Sequence, residues 1–183
     1  CLCLCDTNGG IFPDEAYAIT KAVCEAFPGT CVAIHCHNDG GLAVAASVEA
    51  VRAGAAQVQG TFLGFGERCG NTNLCTLICN LQLKRGYECI PPEHLKDIYE
   101  AAMTIAETAN AAIPANSPYV GMNAFAHKAG MHADGVLKYS SSFEHIDPEI
   151  IGNKRKFLLS EISGKSAIYD KLKNYFPALD RNG

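Results

Sequence analysis

Before Gly86 the chain passes three times through one order: a short apolar run, a polar glycine-rich loop, then a helix-patterned stretch. Cys1–Cys5, Thr30–His37 and Gln57–Phe62 read as strands, the first buried and the third carrying Val58, Thr61 and Phe62. Pro13–Phe27, Leu42–Ala53 and Asn73–Lys84 read as helices; Pro13 suits a first turn, and Pro28-Gly29, Gly54 and Gly86 supply the stops. Units of roughly 30 residues in this order predict consecutive βα units around a parallel sheet. The loops Asp6-Thr7-Asn8-Gly9-Gly10, His35–Gly41 and Gly64–Asn73 then lie at the carboxyl ends of the strands, where such proteins place their active sites. Three units cannot close an eight-stranded barrel, and a parallel sheet needs cover on both faces, so the pattern predicts a piece of a longer chain. Cys1, placed directly in an apolar run, fits that expectation.

Composition narrows the function classes. The 183 residues are 48% hydrophobic with a formal net charge of -4, which describes a folded globular chain able to bury a core. No Lys/Arg-rich run offers a nucleic-acid surface, and no basic amphipathic helix offers a membrane surface. No apolar stretch reaches transmembrane length and no signal peptide is recognisable, so the expected compartment is cytoplasmic and the expected partners are small molecules or other subunits. The ten cysteines fall inside apolar or helical runs and read as buried, reduced packing residues. Neither Cys1-x-Cys3-x-Cys5 nor Cys75-x3-Cys79 has the matching half of a zinc site.

Chemistry concentrates at His35-Cys36-His37-Asn38-Asp39-Gly40-Gly41. A strand turns alternate side chains to one face, so His35 and His37 point together at a strand end. Two such imidazoles can share one divalent cation, which predicts a metal-dependent enzyme. The same spacing also suits two half-buried histidines bonded to backbone carbonyls, and on spacing alone both readings stand.

After Gly86 the pattern changes. Pro91-Pro92-Glu93 opens an amphipathic helix to about Asn110, a break follows at Pro114–Pro118, and Tyr119–Asp134 is rich in Gly, Ala and His with little periodicity. Tyr139–Ser142 reads as loop, Asp147-Pro148 as a turn or short helix, and Ser163–Tyr175 as a final helix.

Three blocks carry a specific resemblance. They are Asp6-Thr7 after the first strand, His35-Cys36-His37-Asn38-Asp39 with Gly41-Leu42-Ala43-Val44-Ala45 behind it, and Gly64-Phe65-Gly66-Glu67-Arg68-Cys69-Gly70-Asn71. Together with Ala126-His127-Lys128-Ala129-Gly130-Met131-His132-Ala133-Asp134-Gly135, they resemble the family of α-isopropylmalate, citramalate and homocitrate synthases, metal-dependent enzymes that condense an acyl-CoA with a 2-oxo acid. The segments 143–148, 152–157 and 160–166 look most like the citramalate synthase branch, with isopropylmalate synthase next.

The resemblance implies an α/β fold: about three βα units from the C-terminal part of a TIM (β/α)8 barrel over 1–110, then a mostly helical linker subdomain over 111–183. It implies His35, His37 and Asn71 as contacts to a divalent metal ion (Mg, Mn or Zn), Thr7 as a hydrogen-bond donor to the 2-oxo acid carboxylate, and His132 as a catalytic proton carrier. The family's further ligand, an aspartate on the barrel's first strand beside an arginine, is expected upstream, so this piece alone is expected to bind metal poorly and not to turn over. Without the resemblance, Asn71 reads equally as a loop-capping residue, Thr7 as a turn or cap hydroxyl, and His132 as a surface histidine.

The implied reaction joins acetyl-CoA to pyruvate, giving (R)-citramalate and CoA for branched-chain amino acid synthesis, in a full-length homodimer. Acetyl-CoA and the 2-oxo acid are its substrates. Phe143 stands where the family usually carries a tyrosine, with Tyr139 as a nearby phenol. Lys154–Lys156 read as a solvated basic face. Three alternatives remain: 3-methyl-2-oxobutanoate as acceptor, a hydroxymethylglutaryl-CoA lyase type of cleavage, and a non-catalytic fragment.

Overall fold

A computed structural model describes residues 1–127, 135–136, 139–158, 169, 172, 175 and 176. The chain divides into two compact units, one formed by Cys1–Pro92 with Ala101–Ala112, the other by Glu93–Glu100 with Ile113–Gly183.

The first unit is built on a parallel three-stranded sheet in the order β1 (Leu2–Asp6), β2 (Val32–Cys36), β3 (Gln57–Gln59). Its register places Cys5 beside His35 and His35 beside Gln59. The helices are α1 (Pro13–Ala26), α2 (Ala43–Ala53) and α3 (Leu74–Arg85). Pro13 occupies the first turn of α1, and Glu15 reaches back to accept the Phe12 amide proton at 2.9 Å. α2 and α3 end on left-handed residues at Gly54 and Gly86, as the sequence predicts. Asn73 caps α3 by accepting from the Cys75 amide at 3.0 Å.

The core between sheet and helices is narrow because it is made largely of alanine. Ala16, Ala43, Ala46, Ala50 and Ala55 bury with Ile34 and Cys36, and Leu4, Ile11 and Val58 pack against them. One polar pair interrupts this layer. The buried hydroxyls of Ser47 and Thr72 lie 2.9 Å apart, and the Thr72 amide donates to the Cys36 carbonyl at 3.0 Å, so the polar groups are satisfied and β2 is tied to the segment before α3.

Several elements differ from the sequence pattern. The third strand stops at Gln59 because Thr61 bridges Asn73 instead and Phe62–Gly64 coil into a 3₁₀ turn, with Leu63 at φ 61°. The segment from Pro92 starts as a 3₁₀ turn, Pro92–Asp97, before α4 (Ile98–Thr108) begins. The cysteines are all free, yet only Cys36, Cys75 and Cys79 are buried. Leu4 faces the helical layer, so by strand alternation Cys3 and Cys5 face the other side of the sheet, with Cys5 beside His35.

In the second unit, Leu95, Ile98, Tyr119, Val120, Phe125, Val136 and Ile151 are buried. β4 (Ala126–His127) pairs in parallel with β5 (Lys156–Phe157). Tyr119 holds a left-handed backbone, φ 65°, and its carbonyl accepts from buried Asn153 Nδ2 at 2.8 Å. Glu144, with its side chain 3% exposed, takes two hydrogen bonds from Arg155 Nε at 2.8 and 2.9 Å and meets His127 Nε2 at 2.8 Å. Arg155 is therefore an internal ion-pair partner rather than part of a solvated basic face. Pro148–Ile151 form the expected short turn, and Ser140–Ser142 a 3₁₀ turn instead of loop. The final helix over 163–175 lies mainly outside the described residues. Among the described residues no helix is long and apolar enough to cross a membrane.

The Glu144 pair sets a pH dependence. Burial alone would push its carboxyl up, but the hydrogen bonds from Arg155 and His127 outweigh that and hold it below its ordinary value. A lowered folded-state value stabilises the second unit above the ordinary carboxylate range, and that contribution is lost as pH falls through the folded value. Chemical unfolding of the second unit should show Glu144→Gln less stable than the parent by about 2 kcal/mol at neutral pH. The difference should shrink as the pH is lowered below the ordinary glutamate range.

Candidate active site

The carboxyl end of β2 is where the predicted residues gather. His35 is the fourth residue of β2 and His37 follows its end; the rings lie 5.2 Å apart at an interplanar angle of 76°. Alternation along the strand puts them on one side, and buried Cys36 between them points into the helical core. Asn71 bridges His37 as an isolated antiparallel pair. Its Nδ2 donates to the Phe65 carbonyl at 2.9 Å, which fixes the amide and leaves Oδ1 free of that bond.

Hydrogen-bond accounting picks out the same three residues. Among the described residues, His35 Nδ1, His37 Nδ1 and Asn71 Oδ1 are buried side-chain atoms with no hydrogen-bond partner, joined only by Thr20 Oγ1 on α1. Buried polar atoms are rarely left without a partner, so three at one strand end need an explanation. Two imidazole nitrogens and an amide oxygen are a donor set that a divalent cation satisfies. No group of three His, Cys, Asp or Glu side chains gathers for a metal anywhere among the described residues.

Glycine makes this geometry possible. A side chain on Gly66 would run into the Asn71 amide, and one on Gly70, at φ 88°, into the Gly64 carbonyl. The loop therefore folds tightly enough for the Asn71 amide to donate to the Gly64 carbonyl at 3.0 Å and for the Gly70 carbonyl to accept from Asn38 at 2.9 Å.

The neighbouring loops close around this point. The Asp6 carboxylate accepts the amides of Gly9, Gly10 and Ile11 at 3.1–3.3 Å and so shapes the loop after β1. Asn38 Oδ1 accepts the Ala43 amide at the start of α2. Arg68 Nε and Nη2 donate to the two Asp39 carboxylate oxygens at 2.8 and 3.0 Å, and Nη2 also donates to the Thr7 carbonyl at 2.8 Å. This fork holds the Asp39 carboxyl below the usual range and the Arg68 guanidinium above its own. Thr7 is exposed on the loop after β1.

His132 lies outside the described residues. In the second unit, Tyr139 is 75% exposed, and Phe143 is also exposed. Sequence reasoning assigned no role to Arg68, Asp39 or the Asp6 carboxylate. The first two stand inside the motif blocks that carry the resemblance, as opposite charges in two loops at the same end of the sheet.

Comparison with known proteins agrees with this architecture. The HMGL-like family model matches residues 1–108, and the model described as homocitrate synthase post-HMGL domain-like matches 119–182. The (R)-citramalate synthase of Aquifex aeolicus (strain VF5) is 54% identical over 97% of this chain and 34% of its own length. That of Synechocystis sp. (strain ATCC 27184 / PCC 6803 / Kazusa) is 46% identical over 98% of this chain and 34% of its own. The chain thus spans about a third (34%) of the length of the curated relatives it matches. Among solved structures, the HMG-CoA lyase of Bacillus subtilis superimposes with a TM-score of 0.51 at 26% identity, covering 62% of this chain and 39% of that one. The three βα units are accordingly part of a TIM-type barrel. With residues 1–108 matched by that family's model and 119–182 by the homocitrate synthase post-HMGL domain-like model, the chain belongs to the HMGL-like family.

Proposed function

We propose that the intact protein carrying this chain condenses acetyl-CoA with pyruvate and water to give (R)-citramalate and free CoA. The observation that carries the site assignment is the set of three unpartnered buried atoms, His35 Nδ1, His37 Nδ1 and Asn71 Oδ1, at one strand end. The choice of acceptor rests on the 54% identity to a citramalate synthase.

His35, His37 and Asn71 would hold a divalent cation, Mg, Mn or Zn, through two imidazole nitrogens and one amide oxygen. When bound, such an ion supplies Lewis-acid polarisation of the acceptor carbonyl and stabilises the negative charge that develops on its oxygen. The protein's own residues do the rest. β2 fixes the two rings on one rigid element, and Phe65 fixes the Asn71 amide, so the donor set is organised in advance. The Thr7 hydroxyl donates to the carboxylate of the 2-oxo acid and orients its carbonyl. His132 handles the proton lost from the methyl group of acetyl-CoA, whose carbon then attacks that carbonyl; hydrolysis of the thioester releases CoA.

Removing either imidazole should be decisive. In the intact protein, His35→Ala and His37→Ala should each weaken Mn binding by at least about 100-fold by titration calorimetry. Unchanged Mn affinity in both histidine variants would refute the site. Thiol release measured with acetyl-CoA should be faster with pyruvate than with 3-methyl-2-oxobutanoate. The reverse order would identify an isopropylmalate synthase, and cleavage of a hydroxyacyl-CoA without condensation would identify a lyase.

A further inference from the structure

Arg68 occupies an unusual place. Its backbone is left-handed at φ 55°, uncommon for a residue with a side chain. From there the guanidinium spans three loops that are remote in sequence: its own, after β3; that of Asp39, after β2; and that of Thr7, after β1. Backbone bonds run beside it, from the Gly40 amide to the Gly9 carbonyl and from the Asn38 amide to the Gly70 carbonyl, both 2.9 Å. Gly9 is packed so closely on Asp39 that a side chain there would strike the carboxylate. These contacts form one cross-tie at the mouth of the site.

The fork adds little to stability, because the Arg68 side chain is 44% exposed and the Asp39 side chain 27%, and exposed ion pairs contribute weakly. What it contributes is geometry. The Nε–Nη2 edge is engaged by Asp39, and Nη2 also fixes the carbonyl of Thr7. Threonine's β-branched side chain has a restricted torsion, so holding the carbonyl narrows where the hydroxyl can stand.

We propose that Arg68 is a positioning residue for the 2-oxo acid: by clasping Asp39 and the Thr7 carbonyl, it sets the Thr7 hydroxyl relative to the His35–His37 pair. This rests on the reading of Thr7 as the contact to the substrate carboxylate. Arg68 itself does not touch substrate. Its loss is felt by the acceptor and not by acetyl-CoA.

The test is steady-state CoA release by the intact protein with pyruvate and acetyl-CoA varied separately. Arg68→Ala should raise the KM for pyruvate by about tenfold or more, with the KM for acetyl-CoA within about twofold, since small displacements of a positioning group cost this much. Asp39→Asn should act in the same direction, and the double variant should be no worse than Arg68→Ala. Arg68→Lys should recover only part of the loss, because an ammonium cannot reproduce the fork. If Arg68→Ala fails to fold, Asp39→Asn and Arg68→Lys carry the same comparison. A pyruvate KM raised by Arg68→Ala and untouched by Asp39→Asn would show direct substrate binding and overturn the proposal. So would equal effects on both substrates, or no effect on either. A parent protein that turns over while the variants behave in those ways leaves the proposed function standing; a parent without turnover on any 2-oxo acid overturns both.

Discussion

β2 is hydrogen-bonded along both edges, to β1 and to β3, and the hydrogen bond from the Thr72 amide to the Cys36 carbonyl carries its line past the end of the strand. Everything at the candidate site depends on that extension. It brings Asn71 opposite His37, and the buried hydroxyls of Ser47 and Thr72 satisfy each other beneath the junction. Alanine at 16, 43, 46 and 50 lets α1 and α2 approach closely enough to close over it. A bulkier core would hold the helices further out, and the loops above would lose their common reference.

On this base the site is organised by two kinds of constraint with different reach. Strand alternation aligns His35 and His37 and requires only residues adjacent in sequence. The glycines of the loop after β3, the Asn71–Phe65 bond and the Arg68 fork act between loops, and they decide where the donor atoms and Thr7 stand relative to one another. The result is a set of donor atoms left without partners inside a region otherwise well satisfied, which is the expected signature of a preorganised ligand site. In the second unit the same economy appears differently: a buried Glu144 is tolerated because Arg155 and His127 complete it.

Helix ends at Gly54 and Gly86, the early turn at Pro13 and the βα order were legible because each depends on a few neighbouring residues. The end of β3 was not, since Thr61 leaves the strand to bridge Asn73 across a turn that no local pattern signals. Cys1, Cys3 and Cys5 have the composition of core residues; which face of β1 the helices cover is a property of packing, and Cys3 and Cys5 lie on the other face from Leu4. Asn71 enters the candidate site only through the family's loop motif, because nothing in its own sequence neighbourhood separates a proposed ligand from a turn residue. Arg68 stood inside that motif without a visible task.

From the sequence alone came the alternation of strands and helices, the pairing of His35 with His37 on one strand face, and the family to which the loops belong. These follow from periodicity and short motifs, which are local. The tertiary structure alone decided that Asn71 meets His37, that Arg68 reaches Asp39 and Thr7 across 29 and 61 residues of chain, and that Arg155 serves Glu144 instead of solvent. Contacts at such separations arise only when the sheet has brought the loops to one end, and no periodicity records which side chain will then face which.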